Sequence, residues 1–430
     1  MKPGFAFGTT LTLVLLSSAS HAESRLSFYK DVAPILQESC QECHRPAGAN
    51  FGGMIAPMSL ITYDEVRPWA KSIVKQIQTK QMPPWDAHPQ HKGQFRNERT
   101  LEESEIDLIT RWVDSGAPRG NPADAPEPRT FNASNGWIIG EPDLVVSMSE
   151  SYHVADDVYD QYTQFIVDLT DAQLPEDAWI TSFQCKPSST VVHHFNCHLL
   201  APVDGKLPPP PESAESSTIS PEGAGTYLGG ISSGSEPTQW PEGFGIPIKR
   251  GSRVTFDIHY HKEPGPGTAV DDRSHIGFLL THTKPEREMG GTRPMMRFDI
   301  DISPGQERYT LGPVSQILED DIEIVGYMPH MHMRGKEALF EAFYPDGTRE
   351  VLLHVPKYDF AWQTVYYYED LKRLPKGTKV QYTATYDNSE AYGELRGFDS
   401  TQEVHFGQRS SDEMMMGFIM SAKVKEGSSD

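Results

Sequence analysis

The residues of this chain best suited to chemistry are cysteines and histidines at short, repeated spacings. Cys40-Gln41-Glu42-Cys43-His44 sets two thiols three positions apart, with an imidazole directly after the second. Each thiol can add to a vinyl group of a haem, and the adjacent His can reach the iron axially. A zinc site would want a second ligand pair nearby, and a thioredoxin-like redox pair would want a βαβ setting. The flanking sequence offers neither, so Cys40, Cys43 and His44 point to one covalently attached haem c. Met82, in Gln81-Met82-Pro83-Pro84, is the favoured sixth ligand, because a thioether is a usual axial choice. Met54, Met58, His88 and His91 are the alternatives, and either His would give a lower potential.

Nine of the 16 His fall between residues 193 and 332. Seven of these form three strand-like clusters: Val192-His193-His194-Phe195-Asn196-Cys197-His198, Asp257-Ile258-His259-Tyr260-His261, and Pro329-His330-Met331-His332-Met333-Arg334-Gly335. On a strand, residues i and i+2 share a face about 6.6 Å apart, so two imidazoles can lean toward one metal. A single such cluster would read as ordinary buried or surface His; three are harder to dismiss. A catalytic zinc site usually adds Glu or Cys to His. Here the abundant companion is Met, and imidazole with thioether suits copper, above all Cu(I).

The elements that must position these groups change character along the chain. Residues 1 to 22 read as a secretory leader: Lys2, an apolar run within Phe5 to Leu16, then Ser20-His21-Ala22 as a cleavage site. That implies the periplasm, with no membrane span after cleavage. The next segment is helical. Phe28, Val32, Ile35 and Leu36 recur at helical spacing, with Pro34 restarting the helix. A second helix is predicted from Trp69 to Lys80. Thr100 and Glu103 form a capping box for a third, which buries Ile106, Ile109, Trp112 and Val113 and stops at Gly116 and Pro118.

Residues 119 to 137 are Pro-rich and read as a linker. Beyond them come short strands, among them Gln164 to Val167, Thr190 to Leu200, Arg253 to His261, Glu323 to Tyr327, Lys379 to Tyr386 and Met416 to Ala422. Such a run predicts all-β sandwich architecture behind a small all-α domain. Residues 203 to 243, rich in Pro, Ser and Gly, read as a surface excursion. The Gly-x-Ser-x-Gly match at Gly230 to Gly234 lacks the strand and helix of a nucleophile elbow and carries no weight.

Two resemblances follow from these motifs. Residues 23 to 118 resemble a small class I cytochrome c domain. His193-His194, His259-Tyr260, His330-Met331-His332 and Asp412-Glu413-Met414 stand in the order seen in the copper type II, ascorbate-dependent monooxygenases, the family of the peptidylglycine and dopamine hydroxylating enzymes. That resemblance implies two jelly-roll-like β-sandwiches, residues 138 to 288 and 289 to 430, each with one copper, facing each other across a solvent-filled cleft. His193, His194 and His259 would bind an electron-transfer copper. His330, His332 and Met414 would be the catalytic set, holding the copper that activates dioxygen. His198 and His261 offer ligand swaps, and Met415 and Met416 compete with Met414. The peptide-amidating members carry an Arg where this chain has Met328 and a Tyr where it has Phe418, so a peptide carboxylate is not the expected substrate.

The expectation is a periplasmic monooxygenase that hydroxylates a C–H bond of a small organic substrate with O2. It would use two coppers and a haem that passes on electrons from a periplasmic donor. The alternatives are a non-catalytic haem and copper carrier or copper-handling protein, and a haem domain that only regulates. Cys185 and Cys197 could form a disulfide in an oxidising compartment, or stand as two buried thiols. With a net charge of −22 over 430 residues, nucleic acid and anionic membrane surfaces are poor partners.

Overall fold

The structure is a computed structural model. It describes residues 1, 25–45, 56, 58–131, 136–207, 209, 225–231, 236–289 and 294–424. The predicted leader beyond Met1, Met54, and Ser232 to Gly234 of the Gly-x-Ser-x-Gly match lie outside the described residues. Strands dominate, and the helices gather near the start of the chain. Among the described residues, no helix is long and apolar enough to cross a membrane.

A π-helical turn, Phe28–Val32, runs into α1 (Ala33–Ser39), whose first turn holds Pro34, where its missing N–H is not needed. α2 (Tyr63–Val66) is capped by the Thr62 and Glu65 pair, and α3 (Ala70–Gln78) turns Ala70, Ile73 and Ile77 inward. α4 (Glu103–Asp114) begins later than predicted. Its capping box is Glu102 with Glu105, while the Thr100 hydroxyl donates to Glu98 instead, at 2.6 Å. Phe28, Leu36, Val66, Ile73 and Trp112 form the core of this helical segment.

Two β units follow. In the first, β1 (Asp160–Asp168), β2 (Ala178–Lys186), β3 (Val192–Leu200), β4 (Thr226–Ile231) and β5 (Arg253–His261) are the strands that matter. An antiparallel sheet in the order β1-β5-β3-β4 faces a six-stranded sheet containing β2. Phe195 and Phe256 of one meet Phe183 and Phe278 of the other in a common core. β4 falls inside the predicted surface excursion. Its glycines allow close pairing: a Cβ on Gly230 would stand 2.6 Å from the Phe195 carbonyl oxygen.

In the second unit, β6 (Ile322–His330), β7 (Tyr366–Leu374) and β8 (Met415–Lys423) lie in one four-stranded sheet, with β6 between β7 and β8. A second four-stranded sheet supplies Phe340, Leu353 and Tyr382 to the shared core. The expected Cys185–Cys197 bridge is absent. The two thiols sit on β2 and β3, in opposite sheets, both buried and both free, packed as small apolar groups.

The units are not beads on a string. Val325, Tyr367, Met420 and Ala422 of the second β unit join the apolar core of the first. The helical segment docks by strand addition: Arg96 N–H donates to the Tyr367 carbonyl and Glu369 N–H to that of Gln94, both at 2.9 Å. Phe95 enters the second unit's core, and the Asn97 amide donates to the Val365 carbonyl at 2.7 Å. The Pro-rich stretch, as far as it is described, folds back on the helices, with Arg129 paired to Glu42 at 2.8 Å.

Candidate metal centres

The first centre is built by an irregularity. β3 pairs with β5 through Val192↔Tyr260 and then His194↔His259, so His193 is the extra residue of a bulge. Consecutive strand residues ordinarily point to opposite faces; a bulge re-aims one of them. His193 and His194 can therefore both reach His259. The Nδ1 atom of His194 lies 3.3 Å from that of His193 and 3.2 Å from that of His259. Nitrogens about 2.0–2.1 Å from one ion at tetrahedral angles stand roughly 3.3 Å apart. The three imidazoles thus form a group that could bind a metal ion. Burial first, then the neighbouring His259 and His261 charges, push His193 down to about 4. Burial likewise holds His194 and His259 below their ordinary value, leaving the neutral, ligating form.

The ring of Tyr162 stacks on His259 with centroids 4.1 Å apart and planes within 5°. Asp160, two residues earlier on β1, touches the Nε2 side of His259. Asp160, His259 and His261 make a second, overlapping group. His198 is drawn off to Asp257, 2.9 Å away.

The second centre sits where β6 ends. His330 and His332 have ring centroids 5.2 Å apart at 86°. His330 Nδ1 donates to the Gln363 side-chain oxygen at 2.7 Å, and His332 Nδ1 to the Asp412 carbonyl at 3.2 Å. Each ring is left with its Nε2 lone pair for a ligand. Between them, Met331 turns into the core, and Tyr358 fixes the turn by donating to the Met331 carbonyl at 2.7 Å.

Glu413 ties the segment that carries Met414 to the His332 turn. That carboxylate accepts the backbone N–H groups of His332 (2.8 Å), Arg334 (2.7 Å) and Met414 (3.3 Å), tying the two chain segments together. Met414, Met416 and Phe418 share one apolar cluster with Met328, whereas Met415 faces the core with Tyr382. His330 pairs with Met416 across the sheet, and Met328 with Phe418.

The ring of Phe360 touches both centres. Phe360 lies 5.7 Å from His193 and 5.5 Å from His332, centroid to centroid. Tyr227 of the first unit packs on Phe418 of the second at 5.0 Å. Aromatic side chains of the two units thus meet between and beside the histidine groups.

In the helical segment, His44 Nδ1 donates to the Met58 carbonyl at 3.2 Å, which leaves its Nε2 with the lone pair. Burial pushes Cys40 up to about 12 and also raises Cys43. A reactive redox pair wants lowered thiols, so these are poor disulfide catalysts. His88 stacks on His354 of the second β unit at 5.3 Å, and His91 Nε2 accepts the His354 N–H at 3.1 Å. Both are thereby engaged at the docking surface. Met82 is half-buried in the turn after α3.

No protein-family model and no curated protein matches this chain. Among solved structures, the cowpea mosaic virus top component is similar at a TM-score of 0.29 and 8% identity, over 65% of this chain and 89% of that one. The VP2 subviral particle of infectious bursal disease virus gives 0.18 and 11%, over 66% and 72%. Oxalate decarboxylase from Bacillus subtilis gives 0.13 and 8%, over 73% and 82%. Scores this low carry no argument about fold or function.

Asp160, Tyr162, Gln363 and Phe360 were outside the reach of motif reasoning. Asp160 and Tyr162 stand opposite His261 and His259 only once β1 pairs with β5. Phe360 and Gln363 lie in the loop before β7, with no spacing signal of their own.

Proposed function

We propose that this chain is a periplasmic copper monooxygenase that inserts one oxygen atom of O2 into a C–H bond of a small organic substrate. The carrying observation is the meeting of two unlike donor groups from separate β units about one aromatic ring. One group is imidazole only; to the other the buried Met414, next to the Glu413 that ties its segment to His332, would add a thioether, the mixture that suits Cu(I). Bound copper would supply the one-electron chemistry that activates O2. His193, His194 and His259 would hold one ion through Nδ1, and His330, His332 and Met414 the other through Nε2 and sulfur. Gln363 and the Asp412 carbonyl orient the second pair of rings, and Glu413 holds the methionine beside them. The apolar pair Met328 and Phe418 beside this centre favours an uncharged substrate.

On this reading the β units are sandwiches of the monooxygenase kind, and the helical segment is a class I cytochrome c-like domain. Cys40 and Cys43 would bind the haem covalently, with His44 as one axial ligand and Met82 as the other. Docking on β7 would let the haem feed electrons within one chain. Metal analysis of the purified protein should find one haem and two coppers. Oxygen uptake with reduced haem should then depend on an added substrate and yield its hydroxylated product.

The closed approach of the centres favours one further reading, a haem and copper electron carrier. Reduction of both coppers by the haem, with no substrate-dependent oxygen uptake, would establish that reading instead. Haem with zinc in place of copper would overturn both.

A further inference from the structure

We propose that Asp160 sets the direction of electron flow, by fixing His259 as an Nδ1 ligand and placing a negative charge behind the three-histidine centre. This rests on the reading that His193, His194 and His259 hold copper. His259 is fully buried and clamped flat against Tyr162, so its ring has one orientation. One edge faces His194 Nδ1 at 3.2 Å; the other touches the Asp160 carboxylate. A neutral imidazole carries one N–H and one lone pair. The nitrogen facing a carboxylate carries the proton, which leaves the Nδ1 lone pair for the metal. Pairing of β1 with β5 puts Asp160 directly opposite His261 and on the same face as His259, so the contact is built into the sheet register.

The second centre is backed differently. His330 donates to an amide oxygen and His332 to a backbone carbonyl, both neutral acceptors. An anionic partner makes an imidazole more basic and favours Cu(II); neutral partners and a thioether favour Cu(I). The two centres are thus biased in opposite senses. With copper bound at both, the first would have the lower potential, so one electron would pass from Cu(I) at the first, leaving Cu(II), to Cu(II) at the second, giving Cu(I), with the Nε2 proton kept on His259.

An overlapping possibility is that Asp160, His259 and His261 hold an ion of their own. The observations favour the hydrogen bond, because a neutral imidazole has one lone pair and the Nδ1 edge of His259 is already turned to His194, which leaves Nε2 as the N–H facing the carboxylate.

The test uses the full chain loaded with copper. Asp160→Asn, which keeps an acceptor oxygen but no charge, should raise the potential of the first copper and leave the second unchanged in an EPR-monitored redox titration. Asp160→Ala should weaken the first copper roughly 10–100-fold in chelator competition, the usual loss on removing an outer partner. That competition is measured in a His330→Ala background that empties the second centre. Unchanged potential in Asp160→Asn overturns the proposal even if Asp160→Ala fails to fold. Loss of an additional metal equivalent in Asp160→Ala, with the first copper retained, also overturns it and makes Asp160 a ligand. Wild-type protein that takes no copper at the three histidines fails the functional reading itself, whatever stands at position 160.

Discussion

Glu413 offers the most direct test of how the second centre is held. Its carboxylate is fully buried. One oxygen accepts from His332 and Met414, the other from Arg334. Burial pushes it from 4.5 up to about 8, against those three N–H groups and the Arg334 charge. The folded protein therefore binds this proton more tightly than the unfolded chain. The associated stability is fully present below pH 4.5 and is lost as pH rises through 8. Integrated from pH 6 to pH 9, the loss is about 3 kcal/mol. Glu413→Gln cannot titrate, and it lacks one acceptor oxygen, a cost of about 1–3 kcal/mol at every pH. Urea unfolding of the metal-free proteins should show wild type ahead at pH 6, with that lead shrinking by about 3 kcal/mol at pH 9. A lead that stays constant would mean the carboxylate is ionised throughout, and the burial argument would be refuted. Glu413→Ala strands three backbone N–H groups, while the Arg334 guanidinium keeps its bonds to Asn388 and to the Ser411 and Asp399 carbonyls. It should cost about 3–5 kcal/mol, at roughly 1–3 kcal/mol per stranded group, and release the second copper while the three-histidine centre keeps its own.

Met414→Ala should remove the Cu–S path seen by X-ray absorption on reduced protein and weaken the second copper. Met415→Ala, which opens a hole in the core beside Tyr382, should cost about 2–5 kcal/mol yet keep that path; the reverse pattern would shift the ligand by one residue. His193 is held down to about 4 chiefly by burial. Phe360→Ala, which uncovers its ring, should move it back toward 6.5 in an NMR titration of metal-free protein, and an unmoved His193 would deny Phe360 its shielding role. Replacing both Cys40 and Cys43 with Ala should leave any haem extractable into acidified organic solvent. Wild-type haem that extracts as readily would sink the haem c assignment.

Much of the framework was legible because hydrophobic period and turn chemistry are local. The Arg253–His261 and Lys379–Tyr386 strands have the predicted bounds, and α3 lies within the predicted 69 to 80. Composition misled where close packing was the cause of the glycines, as in Thr226–Ile231, whose small residues admit the neighbouring strand rather than mark a loop. Docking of the helical segment could not be read, since it depends on a few backbone groups of residues 94 to 97 meeting one edge strand. A separately folding helical domain was the natural inference from the prolines. Phe95 in the core of the second β unit ties the two together instead.

The donor residues were legible and their arrangement was not, for one physical reason. Residue type at short spacing nominates a ligand, but the atom it presents is chosen by partners distant in sequence. His193 and His194 are adjacent and would diverge on a regular strand; the register shift against β5 makes them converge. His259 presents Nδ1 because Asp160 takes its other edge, 99 positions away. His330 and His332 present Nε2 because Gln363 and the Asp412 carbonyl take Nδ1. An i, i+2 rule applied to sequence treats all these imidazoles alike, whereas the fold sorts them into two sets with opposite ligating atoms and differently charged backing. That sorting, with Phe360 between the sets, is what the proposed division of one redox reaction between two similar clusters would rest on.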